Sequence, residues 1–162
     1  SEFVPGRSIQ SYIDEGKIFS EEEALKIALQ ICDGLEKLHS NGIIHRDITA
    51  ANIILSYDGN VKIIDYGIAR TAKENASRDT YILGTAGYAA PEQFGFSQTD
   101  ERTDIYAVGV LVNMLLTGKF PNEEMCSGRF KRIVKRCTSM DSSDRFSSVN
   151  AIKASCRAQK FS

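Results

Sequence analysis

The sequence is poor in the features that would place it in several functional classes. Cysteine is scarce, with Cys32, Cys126, Cys137 and Cys156 as the only four. No two of them form a Cys-x-x-Cys pair and none sits in a Cys/His cluster. That spacing argues against a zinc framework and reads as buried free thiols in a reducing compartment. Excess charge of either sign is missing too: the formal net charge is −1. No global field therefore draws the chain to nucleic acid or to an anionic membrane, and no nucleic-acid partner is expected. No basic-then-apolar leader opens the chain, and its longest apolar run, around 105–116, is too short to span a bilayer and reads as a buried helix. Internal repeats and low-complexity stretches are lacking. No Gly-x-Gly-x-x-Gly occurs, so these 162 residues carry no glycine-rich loop of the kind that cradles phosphates.

What remains is ordinary globular material. Hydrophobic residues make up 42% and charged residues 25% of the chain, enough for a sizeable core in one domain or one large lobe. A short helix is expected over 8–15, stopped by Gly16. Ser20-Glu21-Glu22-Glu23 is a capping box, and Ala24, Ile27, Ala28, Ile31, Leu35 and Leu38 follow on one helical face. Asn41-Gly42 supplies the terminating cap. Two β-branched runs, 52–55 and 61–65, flank Tyr57-Asp58-Gly59-Asn60 and read as a hairpin. Residues 66–92 lack periodicity and read as a long functional loop. Residues 104–117 are apolar almost all round, which predicts a central buried helix. Two more helices are expected near 130–137 and 147–158. The fold class is mainly α with a small β-hairpin element.

The cluster 129–136, Arg-Phe-Lys-Arg-Ile-Val-Lys-Arg, is the one basic stretch. Phe130, Ile133, Val134 and Cys137 have the spacing of an inner face. The cations then form either a solvated surface or a docking patch for an acidic peptide or lipid.

The chemistry lies in three short motifs. His45-Arg46-Asp47 followed by Asn52 matches His-Arg-Asp-x-x-x-x-Asn; Asp65-Tyr66-Gly67 follows the second β run; Ala90-Pro91-Glu92 closes the long loop. On these residues the chain resembles the eukaryotic-type Ser/Thr protein kinases, in a bacterial form, over nearly its whole length. More narrowly it resembles their C-terminal lobe, with the N-terminal lobe absent. The resemblance implies a hinge remnant at 1–7 and a C-lobe at 8–162, with the catalytic loop at 45–52 and the activation segment at 65–92.

The resemblance also implies roles. Asp47 would accept or orient the proton of a protein hydroxyl, and Asn52 and Asp65 would hold Mg2+ on ATP. Thr85 would bond near Asp47. Backbone atoms of Glu2 and Val4 would face the adenine edge, Ser8 would lie near the ribose, and Ile54 and Ile64 would floor the nucleotide. Arg46 would grip a phosphate on the activation segment, at Thr80 or Tyr81, with Ser77 nearby. His45, Glu92, Asp104 and Arg145 would be structural: Glu92 pairing with Arg145, Asp104 opening the central helix and tying down the catalytic loop.

Two departures stand out. Thr49 occupies the position where Ser/Thr kinases carry a lysine, and Ala51 the position where tyrosine kinases carry a basic residue. Threonine cannot neutralise a moving phosphoryl group, a loss worth about 3 kcal/mol by analogy with other preorganised donors. The segment 118–145 is short for the family, so substrate choice is expected to rest on 85–89. The expected activity is transfer of the ATP γ-phosphoryl group to protein hydroxyls, with these residues alone inactive for want of the N-lobe. The alternatives are a kinase-fold docking module without catalysis and a small-molecule phosphotransferase. An apolar face around Ile54 and Ile64 is expected to favour a dimer or domain swap. A cytoplasmic location is expected, with any membrane anchor outside this segment.

Overall fold

The computed structural model describes residues 6–64, 87–94 and 100–158. Glu2, Val4, Asp65, Thr80, Tyr81 and Thr85 lie outside the described residues, as do Tyr66, Gly67 and Ser77.

A three-stranded antiparallel sheet opens the chain, in the order β1 (Gly6–Ser8), β2 (Ile53–Ser56), β3 (Val61–Ile63). The β2–β3 hairpin is the one the sequence predicts. The third strand is an addition: three residues have too little pattern to announce a strand, and β1 is one because it pairs with β2, Ser8 opposite Ile54. Ser8 then caps helix α1 (Ile9–Asp14), its hydroxyl accepting from the Ser11 N–H at 3.2 Å.

Helix α2 (Glu21–Ser40) begins at the predicted capping box, with Ser20 and Glu23 exchanging both hydrogen bonds. Its buried stripe is Ala24, Ile27, Ala28, Ile31, Cys32 and Leu35. Helix α3 (Glu101–Thr117) runs through the centre and is buried on nearly every side. It starts three residues before the predicted position, because Asp100 rather than Asp104 is the cap, accepting from the Arg102 N–H. It stops at Gly118, whose φ of 75° is the left-handed cap that glycine adopts without strain.

Helix α4 (Lys131–Cys137), entered through a 3-10 turn at Gly128–Phe130, packs on α3, and helix α5 (Val149–Ala158) packs on α2. The α3–α4 approach is close enough that a methyl group on Gly109 would overlap the Cys137 side chain. Lys153 of α5 clamps α2 through Asp33 (2.9 Å) and Glu36 (2.6 Å).

All four cysteines are free and buried. Burial pushes the Cys32 thiol up to about 12 and Cys156 to about 11, and it raises Cys137 and Cys126 as well. Thiols held in that form are poor nucleophiles. Among the described residues no helix is long and apolar enough to cross a membrane.

Candidate active site

The site is built where the turn after α2 meets the first turn of α3. Residues 43–49 form no regular element, so their backbone polar groups need side-chain partners. Asp104, fully buried, supplies them. Its Oδ2 accepts from the His45 N–H at 2.9 Å and its Oδ1 from the Arg46 N–H at 2.8 Å. His39, at the end of α2, donates from Nε2 to the same Oδ2 at 2.7 Å. Held this way, Arg46 adopts a φ of 69°, the only positive value at a non-glycine residue among those described. A left-handed turn at such a residue costs about 1–2 kcal/mol, which the two charge-assisted bonds offset.

That turn delivers Asp47. Its N–H donates to His45 Nδ1 at 3.1 Å. Nδ1 therefore accepts, so Nε2 carries the ring hydrogen and donates to the Ile64 carbonyl at 3.1 Å. His45 thus ties the loop to the end of β3 as a structural bridge. The Ile64 N–H returns to the Asn52 carbonyl at 2.8 Å.

Asn52 faces Asp47 directly. Its Nδ2 donates to the Asp47 carbonyl at 2.9 Å and to Asp47 Oδ2 at 2.7 Å. With the nitrogen committed, the amide oxygen is the atom suited to a hard cation. Asp47, Thr49 and Asn52 are all buried, at 5%, 6% and 8% exposure, so the carboxylate acts in a medium where its charge is poorly screened. Thr49 opens the 3-10 turn Ala50–Asn52 without capping it by its side chain.

A second cluster supports the first. Arg145 makes a two-pronged pair with Glu92, at 2.7 and 2.9 Å, and donates to the carbonyls of Arg102, Ser139 and Met140. Thr103 adds a bond to Glu92 at 3.0 Å. Burial pushes the Glu92 carboxyl up, but the Arg145 bonds outweigh it and hold it below the usual glutamate range. Gln93 joins the two clusters, accepting from the Ala90 N–H at 2.9 Å and donating to the Arg46 carbonyl at 3.3 Å.

The structure thus brings His45, Arg46, Asp47, Asn52 and Asp104 into one bonded unit and sets Glu92 with Arg145 beside it. Ser8 and Ile54 lie opposite each other on the sheet, and Ile54 and Ile64 are half-buried. His39, Gln93 and Thr103 are partners that sequence reasoning missed. His39 meets Asp104 across 65 positions of sequence, and no local pattern reports such a contact.

Comparison with known proteins agrees with this geometry. Residues 1–127 match the family model described as the protein kinase domain. The chain is 41% identical over 125 residues to the probable serine/threonine-protein kinase PknB of Corynebacterium glutamicum, covering 75% of this chain and 19% of that one. It is 38% identical over 126 residues to the serine/threonine-protein kinase STY46 of Arabidopsis thaliana, covering 77% of this chain and 22% of that one. It therefore spans about a fifth of the length of these relatives. Among solved structures, the Mycobacterium tuberculosis PknI kinase domain superposes with a TM-score of 0.76 at 22% identity, over 96% of this chain and 63% of that one, which establishes the likeness of fold. The family match over most of the sequence and the fold it carries agree: the chain belongs to the protein kinase family.

Proposed function

We propose that these residues are the C-lobe of a protein serine/threonine kinase that moves the γ-phosphoryl group of ATP to a protein hydroxyl. One observation carries the reading: Asp104 fixes the left-handed Arg46 turn, and that turn sets the Asp47 carboxylate against the Asn52 amide. Such a carboxylate orients a hydroxyl and takes its proton as the oxygen–phosphorus bond forms. The donor set fits Mg2+, since the Asn52 amide oxygen and the Asp65 carboxylate are hard oxygen ligands. When bound, Mg2+ would neutralise phosphate charge beside them. Thr85 would assist at Asp47.

The nucleotide would rest on Ile54 and Ile64, with Ser8 toward the ribose and Glu2 and Val4 at the adenine edge. A glycine-rich lobe from outside these residues would cover it, and without one these residues would be inactive. Arg46 would hold a phosphate placed on Thr80 or Tyr81. Four free thiols support work in a reducing, cytoplasmic setting.

The test is transfer of labelled phosphate from Mg-ATP by the full polypeptide that contains these residues, beside its Asp47→Asn variant. Loss of transfer in the variant is expected. Transfer undiminished by the substitution would remove Asp47 from the reaction. No transfer by either protein would favour the docking-module alternative, which the uncharged, buried Thr49 also supports.

A further inference from the structure

Helix α4 has a surface that the phosphoryl-transfer site does not use. Its inner residues Ile133, Val134 and Cys137 are buried, while Lys131, Arg132, Lys135 and Arg136 are exposed. None of these four cations is in an ion pair among the described residues.

The arrangement works against the helix that carries it. Lys131 with Lys135 and Arg132 with Arg136 are like-charged pairs four residues apart, which destabilise a helix. Lys131 and Arg132 also stand in the first turn, at the positive end of the peptide dipoles, while Lys135 and Arg136 stand in the last, where the dipoles favour them. The chain as a whole is at −1, so the excess is local. Apart from the stacking of Arg136 on Phe146, no ion pair among the described residues offsets this repulsion, and such a local conflict points to a surface used by something outside the fold.

The platform is rigid. Gly109 lets α4 sit directly on the central helix, and Arg136 is stacked over the Phe146 ring at 4.5 Å, so its guanidinium is already ordered. The spacing selects the partner. Residues four apart on a helix are separated by about 6 Å along its axis. Alternate side chains on an extended strand are separated by about 6.6 Å. Two carboxylates on one side of an extended segment therefore match either row of cations. A membrane fits less well, because the apolar side of α4 is spent on the core and nothing remains to insert.

We propose that the exposed side of α4 is a docking site for an extended acidic segment of a partner protein, with alternate Asp or Glu side chains facing the Lys131/Lys135 and Arg132/Arg136 rows. This does not depend on the catalytic reading, and its test is binding alone.

The probe is a fluorescent peptide of alternating Glu and Ala, followed by anisotropy against the whole 162-residue chain. A Gln–Ala peptide and vesicles of phosphatidylcholine with phosphatidylserine serve as comparisons. The triple variant Lys131→Gln, Arg132→Gln, Lys135→Gln keeps Arg136 on Phe146, and circular dichroism verifies its fold. Lys26→Gln changes an exposed lysine on another helix. The expected result is salt-sensitive binding of the Glu–Ala peptide only, weakened about tenfold or more by the triple variant and unchanged by Lys26→Gln. Three results would overturn the proposal: no binding of the Glu–Ala peptide, equal loss in Lys26→Gln, or preference for the vesicles over the peptide.

Discussion

Asp104 gathers the loop around Asp47 by drawing three donors onto one buried carboxylate, two of them backbone N–H groups. Asp104→Ala removes the acceptor from all three, and the buried His45 N–H left orphaned costs about 1–3 kcal/mol by itself. A loss of about 3 kcal/mol or more is expected in urea unfolding, with Asp104→Asn losing less because one acceptor oxygen survives. A variant as stable as the parent would show that water replaces the carboxylate. Glu92 adds a pH dependence. Its carboxyl is held below the ordinary range in the fold, so its contribution is complete above the unfolded value near 4.5 and fades as pH falls through the lower folded value. Glu92→Gln should flatten the stability-against-pH slope below about pH 4.5 while leaving the slope near neutrality alone. Breaking the pair from the other side, by Arg145→Met, leaves the half-buried Glu92 carboxylate with Thr103 but without its counter-charge and should cost about 3 kcal/mol. Asp47 and Asn52 were legible in the sequence because a short motif carries them, and the Glu92–Arg145 pairing, 53 positions apart, because the family resemblance implies it. His39 and Gln93 were not, since their roles exist only once distant turns are folded together.

Elements were legible in proportion to how local their causes are. Helix α2 announces itself through a capping box and a six-residue apolar stripe, both readable within its own span. Ser20→Ala should therefore cost about 1 kcal/mol, measured by thermal unfolding, and no change would mean that Glu23 alone satisfies the terminus. Strand β1 was invisible because only its partner makes it a strand. The start of α3 was misplaced because two aspartates stand near it: the family resemblance ties Asp104 to the loop, but only the fold shows that Asp100 is the cap. Nor does sequence disclose Asn113, a fully buried amide in an apolar helix. It bonds the carbonyls of Lys119 and Glu124 and the N–H of Cys126, shaping the chain after α3. Gly109→Ala tests the seam between α3 and α4: a methyl group overlapping Cys137 should destabilise by about 1–3 kcal/mol, seen as a lower urea midpoint with an unchanged slope.

At the scale of the molecule, the sheet end of the fold carries apolar side chains that this chain only half covers. Ile54 and Ile64 are half-buried, and the chain spans 63% of the solved kinase domain it superposes on. We propose that a second copy covers this side in concentrated solution. Light scattering should then report dimers, and a monomer at every concentration would sink the idea. The buried thiols have a different consequence. None of the four is reachable in the folded chain, so a thiol-specific dye becomes a clock of opening. Cys32, Cys137 and Cys156 lie on the packed helices α2, α4 and α5, all in the core, and should label together at the pace of global unfolding. Cys126 belongs to the same core but lies in the irregular stretch after α3, its N–H held by Asn113, so its labelling times a smaller door. Mass spectrometry of a brief dye pulse would read two rates from one molecule, with no substitution introduced.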